Sequence, residues 1–190
     1  MNHAAKELLH SLYSLCDSLD KTPLGLKAQG IDMSLRDVLF VETSQFLMYL
    51  SASDGRVKWS EANFISELFN MQATPDQLTE IIKKNNIYST KFESEVPLVI
   101  KTFVKADNRL REMSKSQGEP ASILIANFWE AIGKEFLTCD GDVSSSELEN
   151  LRIYMNTVRS YIRREMNSSP KNSPSAQNSL KSKYELLKKN

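Results

Sequence analysis

One acidic turn occurs twice in this chain. Asp54-Gly55-Arg56-Val57-Lys58-Trp59-Ser60-Glu61 returns as Asp140-Gly141-Asp142-Val143-Ser144-Ser145-Ser146-Glu147, so both copies read D-G-x-V-x-x-x-E at an offset of 140 − 54 = 86 residues. A glycine at a sharp bend, an apolar residue two places on and a carboxylate six after the glycine form the closing half of a loop that wraps a hard cation in oxygen. The candidate ligands for a divalent ion, calcium or another, are therefore Asp54, Glu61, Asp140, Asp142 and Glu147, shared between the two turns.

The opening half of such a loop is missing. Where an EF-hand needs acidic first and third ligands, the chain has Leu50 and Ala52, then Phe136 and Thr138. The same turn also has a structural use. Asp-Gly turns tightly, because Gly tolerates positive φ and Asp can bond its own backbone, and the Val is expected to pin the loop to the core. Ser144 and Glu147 stand at capping-box spacing. Lys58 holds the matching place in the first copy and is a poor cap, which makes Ser60 the expected start of that helix.

The elements that carry the turns are helical. Leu8, Leu12, Leu15, Cys16 and Leu19 recur at helical steps, and residues 21–32 read as a loop around Thr22-Pro23, Gly25 and Gly30. Ser34 and Asp37 open a helix carrying Leu35, Val38, Leu39, Phe46, Tyr49 and Leu50 inward. After the first turn come Phe64, Ile65, Leu68 and Phe69. Thr74-Pro75-Asp76-Gln77 is the clearest helix start and leads to Leu78, Ile81 and Ile82. A further helix is expected from about Glu95, with Pro97 in its first turn, to about Met113. The second copy carries Ile125, Phe128, Trp129, Ile132 and Phe136, then Leu148, Leu151, Tyr154, Met155 and Ile162. At the 86-residue offset Phe46 falls on Ile132, Leu50 on Phe136 and Ile65 on Leu151. The expected fold is all-α: a single domain of two helix-turn-helix halves, an internal duplication.

Tyr49-Leu50-Ser51-Ala52-Ser53-Asp54-Gly55-Arg56-Val57 with Glu61, and Phe136-Leu137-Thr138-Cys139-Asp140-Gly141-Asp142-Val143-Ser144 with Glu147, resemble the TerB-like family, named for a bacterial tellurite-resistance protein. The resemblance covers about residues 33–166, with halves near 33–70 and 121–166 joined by connecting helices over 75–115. Residues 1–32 precede it as a helix and loop, and 167–190 follow as a basic tail. It implies an all-helical bacterial module without catalysis, working with protein partners in a stress-response or defence assembly, in the cytoplasm or peripheral to the inner membrane. It also implies acidic metal ligands at the Asp and Glu positions above. Arg56 and Lys58 depart from an acidic first turn.

Composition narrows the remaining classes. No apolar run approaches the roughly 20 residues of a membrane-spanning helix. Cys16 and Cys139 are the only cysteines, which points away from a disulfide framework or a zinc site. His3 and His10 have no ligand-spaced partners, and phosphate loops and nucleophile elbows are absent, so no small-molecule substrate is indicated. The formal net charge is zero, yet residues 157–190 hold eight cations against two carboxylates, +6, leaving −6 on residues 1–156. The acidic body argues against nucleic acid, and only Arg159, Arg163, Arg164 and the tail could hold phosphates or an anionic membrane surface. Residues 180–189 could form a short amphipathic basic helix through Leu180, Tyr184 and Leu187, marginal unless it packs on the domain or a partner. Trp59, beside Lys58 in the first turn, is the expected aromatic contact for a protein partner, whereas Trp129 reads as packing.

Overall fold

Six of the described helices, those opening at Leu35, Trp59, Pro75, Leu98, Ala121 and Ser145, begin where some carboxylate or hydroxyl answers their first amides. The computed structural model describes residues 3–52, 56–88, 90–113 and 118–168, and among these every regular element is helical. In chain order they are α1 (His3–Asp20), a 3-10 turn (Lys27–Gln29), α2 (Leu35–Ser51), α3 (Trp59–Phe69), α4 (Pro75–Asn85), α5 (Thr90–Ser94), α6 (Leu98–Glu112), α7 (Ala121–Leu137) and α8 (Ser145–Asn167).

Three starts follow local rules: Ser34 Oγ accepts from the Asp37 amide of α2 at 3.0 Å, as its spacing predicts. Thr74 Oγ1 accepts from the Gln77 amide at 3.3 Å while Gln77 Oε1 accepts from the Thr74 amide at 3.0 Å. Ser144 and Glu147 reciprocate in the same way at 3.2 and 2.8 Å. Distant helices supply acceptors as well. Asp20, closing α1, accepts from the Leu35 amide of α2 at 2.6 Å, beside the Ser34 cap. Glu42 of α2 accepts from the first two amides of α6, Leu98 at 2.6 Å and Val99 at 2.9 Å. Asp107 of α6 accepts from the Ala121 and Ser122 amides of α7, both at 3.0 Å, and from Ser122 Oγ at 2.6 Å. Pro97 and Pro120 stand at the cap positions of α6 and α7 and carry no side-chain acceptor. The distant carboxylates satisfy amides that would otherwise be orphaned.

The core lies where α2, α6, α7 and α8 pack on one another, with α1 against α2 and α7. Phe46 is fully buried at its centre, 4.8 Å from the Tyr154 ring and 6.0 Å from Trp129. Trp129 Nε1 donates to the buried Thr43 Oγ1 at 2.9 Å. Gly133 lets α7 approach α2 and α8. A Cβ there would stand 2.9 Å from Phe46 Cζ and 2.9 Å from Leu151 Cδ1. Alanine gains about 1 kcal/mol of helix propensity, but overpacking a closed core costs roughly 1–3 kcal/mol. Phe46 is held by two stacked rings and cannot retreat, so strain wins. Gly133→Ala is expected to lose about 1 kcal/mol net, read as a fall in thermal midpoint of a few degrees. An unchanged or raised midpoint would show that the rings can move.

Several expectations need correction. In α1 the buried residues are Leu9, Leu12 and Cys16, whereas Leu8 and Leu15 lie 39% and 38% exposed, because the contact with α2 and α7 covers a narrower stripe than the full apolar face. Ile81 is likewise on the outer side of α4. The helix expected from about Glu95 starts instead at Leu98 and is preceded by the short α5. Pro97 serves as its cap, since Pro restrains the residue before it away from helical geometry. Leu148, expected inward, is 51% exposed.

Candidate functional site

The two turns lie side by side. In the first, Asp54 and Gly55 fall outside the described residues. The helix that follows starts at Trp59 with Lys58 as its cap, not at Ser60. A lysine side chain cannot accept a bond, so only half of a capping box forms there: Glu61 Oε2 accepts from the Lys58 amide at 2.6 Å. The Lys58 ammonium reaches across to the second turn and meets Asp140 Oδ2 at 2.5 Å. Asp140 Oδ1 accepts from the Asp142 amide at 3.1 Å, and Gly141 takes the left-handed bend at φ 81°. The Lys58 contact, then the Asp142 amide, holds the Asp140 carboxyl below its usual range. Asp142 itself is exposed.

Glu61 and Glu147, the two closing carboxylates, are both buried. Burial pushes Glu61 up to about 7 against the pull of the Lys58 amide and ammonium, with Glu147 and Asp140 adding repulsion. Cys139 stands beside them. Burial first and Glu61 second push its thiol up to about 11, so it is a thiol and a weak nucleophile at neutral pH. Val57 is buried, as expected, but Val143 is 36% exposed and does not anchor its loop. The difference has a physical source. α4 packs on α2 and α3 beside the first turn, and no described helix does the same for the second.

The described carboxylates of the turns, Asp142 apart, already have partners. Glu61 and Glu147 each give an oxygen to a helix-start amide, and Asp140 gives one to an ammonium and one to a backbone amide. Among the described residues no three His, Cys, Asp or Glu gather as a metal site. The charge that faces Asp140 is the chain's own lysine.

The residues expected to meet a partner divide. Trp59 is 66% exposed at the first position of α3. Arg159 is spent on the fold, bridging Asn127 Oδ1 at 3.0 Å and Glu130 Oε2 at 2.5 Å. Arg164 lies 5.3 Å over the Tyr161 ring and pairs with Glu165 at 3.0 Å, while Arg163 is exposed. Two open grooves were not foreseen. One, of about 360 Å³, runs between the first turn and α4, lined by Ala52, Val57, Thr79, Ile82 and Lys83 and closed at one side by Tyr88, which is 57% exposed. The signal for it was a tyrosine set in the polar run Lys83-Lys84-Asn85-Asn86-Ile87-Tyr88, where nothing local would bury it. The other, of about 330 Å³, lies between α7 and α8, with Leu148, Leu151 and Met155 as floor and Lys134, Arg152 and Arg159 on the rim.

In comparison with known proteins, no family profile, no curated protein and no solved structure matches the chain. Among the described residues no helix is long and apolar enough to cross a membrane.

Proposed function

We propose that this protein is a non-enzymatic, TerB-like interaction module, built from two duplicated helix-turn-helix halves, that serves a bacterial stress-response or defence assembly through its first turn. The observation that carries the reading is an exposed aromatic in an apolar groove: Tyr88 lines the first groove and is 57% exposed. Trp59, also exposed, follows Val57 of that groove by two residues in the chain. Exposed aromatics beside an apolar cleft are the residue types that anchor protein partners. The duplication is supported by the repeated turn and by the Trp129–Thr43 hydrogen bond, which joins two positions 86 residues apart, the offset of the repeat itself. A contact between matching positions is what a pseudo-two-fold axis between two halves would place at its centre. The non-enzymatic reading draws on chemistry: the one half-buried thiol near the turns is held protonated, and the buried carboxylates cap helices.

The test is capture of a stoichiometric partner from the source cell by the full chain, followed by binding measurements with the purified pair. Trp59→Ala and Tyr88→Ala should each weaken binding at least tenfold while leaving the thermal midpoint unchanged, because both rings already face solvent. Unchanged affinity in both variants would sink the proposed surface.

A further inference from the structure

Both open grooves carry cations, and they use them differently. Between α7 and α8 the cations are spent within the chain: Lys134 and Arg159 close on Glu130, and Arg152 closes on Glu149. In the first groove Arg56 lines the side of the turn and Lys83 lines the side of α4, and no described carboxylate lines it with them. Both side chains are exposed, and neither pairs with a carboxylate among the described residues. A cation that is already paired must give up its neighbour before it can take a new one, whereas these two are ready to do so.

The charge stands beside an apolar floor. Val57 and Ile82 lie in that groove with only a few per cent of their surface open, and Tyr88 stands exposed at one side. A concave site of about 360 Å³ suits a protruding segment better than a flat protein face. The setting sharpens the contrast. Residues 1–156 sum to −6, so an acidic segment meets repulsion over most of this body and attraction where Arg56 and Lys83 stand free. Complementary charge of this kind fixes where and in which register a partner lands, while the apolar contact supplies most of the hold.

We infer that the first groove receives an acidic peptide segment of a partner protein. One large apolar side chain seats on Val57 and Ile82 against Tyr88, and the Asp or Glu residues that flank it pair with Arg56 and Lys83. The inference rests on the first groove being the partner surface proposed above, and adds the chemistry of what binds there.

Selection from a random peptide library displayed on phage, with the full chain as bait, tests this. Enriched peptides should carry a large apolar residue flanked by two or more Asp or Glu. Made as fluorescein-labelled synthetic peptides, they should lose about tenfold in affinity as salt rises from about 50 to about 500 mM. Arg56→Glu combined with Lys83→Glu should weaken them about tenfold or more and remove the salt dependence. The thermal midpoint should stay put, since both side chains already face solvent. Arg152→Ala, in the other groove, should leave binding unchanged. Peptides that lose affinity in Tyr88→Ala but are neutral or basic, or that survive reversal of both cations, overturn the acidic partner and leave the first groove standing as the partner surface. Peptides indifferent to Tyr88→Ala, or no enrichment at all, overturn the groove and the inference together. A dimer mass for the full chain that disappears when both cations are reversed seats a second copy there and overturns a separate partner.

Discussion

Asp107→Ala is expected to destabilise the protein by about 3 kcal/mol, since it strips the acceptor from two helix-start amides and a buried hydroxyl at once. Each buried donor left without a partner costs roughly 1–3 kcal/mol, and three at one site do not add in full. The loss has no local remedy. Pro120 at the cap position offers no side-chain acceptor, and Asp107 is 6% exposed, so water reaches the vacated space poorly. Asp107→Asn separates charge from hydrogen bonding. It keeps one acceptor oxygen and should lose about half as much, and denaturant titration of both variants reads the difference. A loss below about 1 kcal/mol in Asp107→Ala would mean that the start of α7 finds another acceptor or frays without consequence.

The second large effect is a dependence on pH centred on Glu61. Its carboxyl titrates near 7 when folded against 4.5 for a free side chain, chiefly because burial penalises the charged form. The folded state therefore binds this proton more tightly than the unfolded state does. The stability it brings is fully present below pH 4.5 and is lost as the pH rises through about 7. The full difference is about 3 kcal/mol as an upper figure. Glu61→Gln keeps an oxygen for the Lys58 amide and removes the charge that faces Glu147 and Asp140. At pH 8 the variant should be more stable than the wild type by at least about 1 kcal/mol, and at pH 5 the gap should close. Comparing the two proteins isolates this group from the other titrating side chains. A gap that stays constant between pH 5 and 8 would show that the Lys58 amide and ammonium hold the carboxylate charged in spite of its burial.

Much of the fold was legible because it depends on local chemistry. The Thr74-Pro75 start, the Ser144–Glu147 box and the inward faces of α2 and α7 each follow from residues a few positions apart, and each is present. What local spacing could not reveal was which apolar residues would find a neighbour. Leu148 and Leu8 sit on helical apolar faces and are exposed because no described element lies over them. The starts of α6 and α7 were hidden for a similar reason, as their acceptors, Glu42 and Asp107, come from other helices. At the candidate site the acidic residue types were visible, and their partners were not. That Lys58 would cross to Asp140, 82 residues away, is set by the packing of the turns and has no trace in the spacing of either one.

Borrowed helix starts also constrain the order in which this chain can assemble. The first amides of α6 are answered from 56 and 57 residues away, and those of α7 from 14 and 15. Neither helix start has a side-chain acceptor of its own, so its first amides stay hydrated until the earlier helix packs beside it. α7 is completed only once α6 presents Asp107, and α6 only once α2 presents Glu42. α2 has its own Ser34 cap and adds Asp20 of α1. Each helix acts as a template for a later one, a relay that runs in the direction in which a ribosome releases the chain.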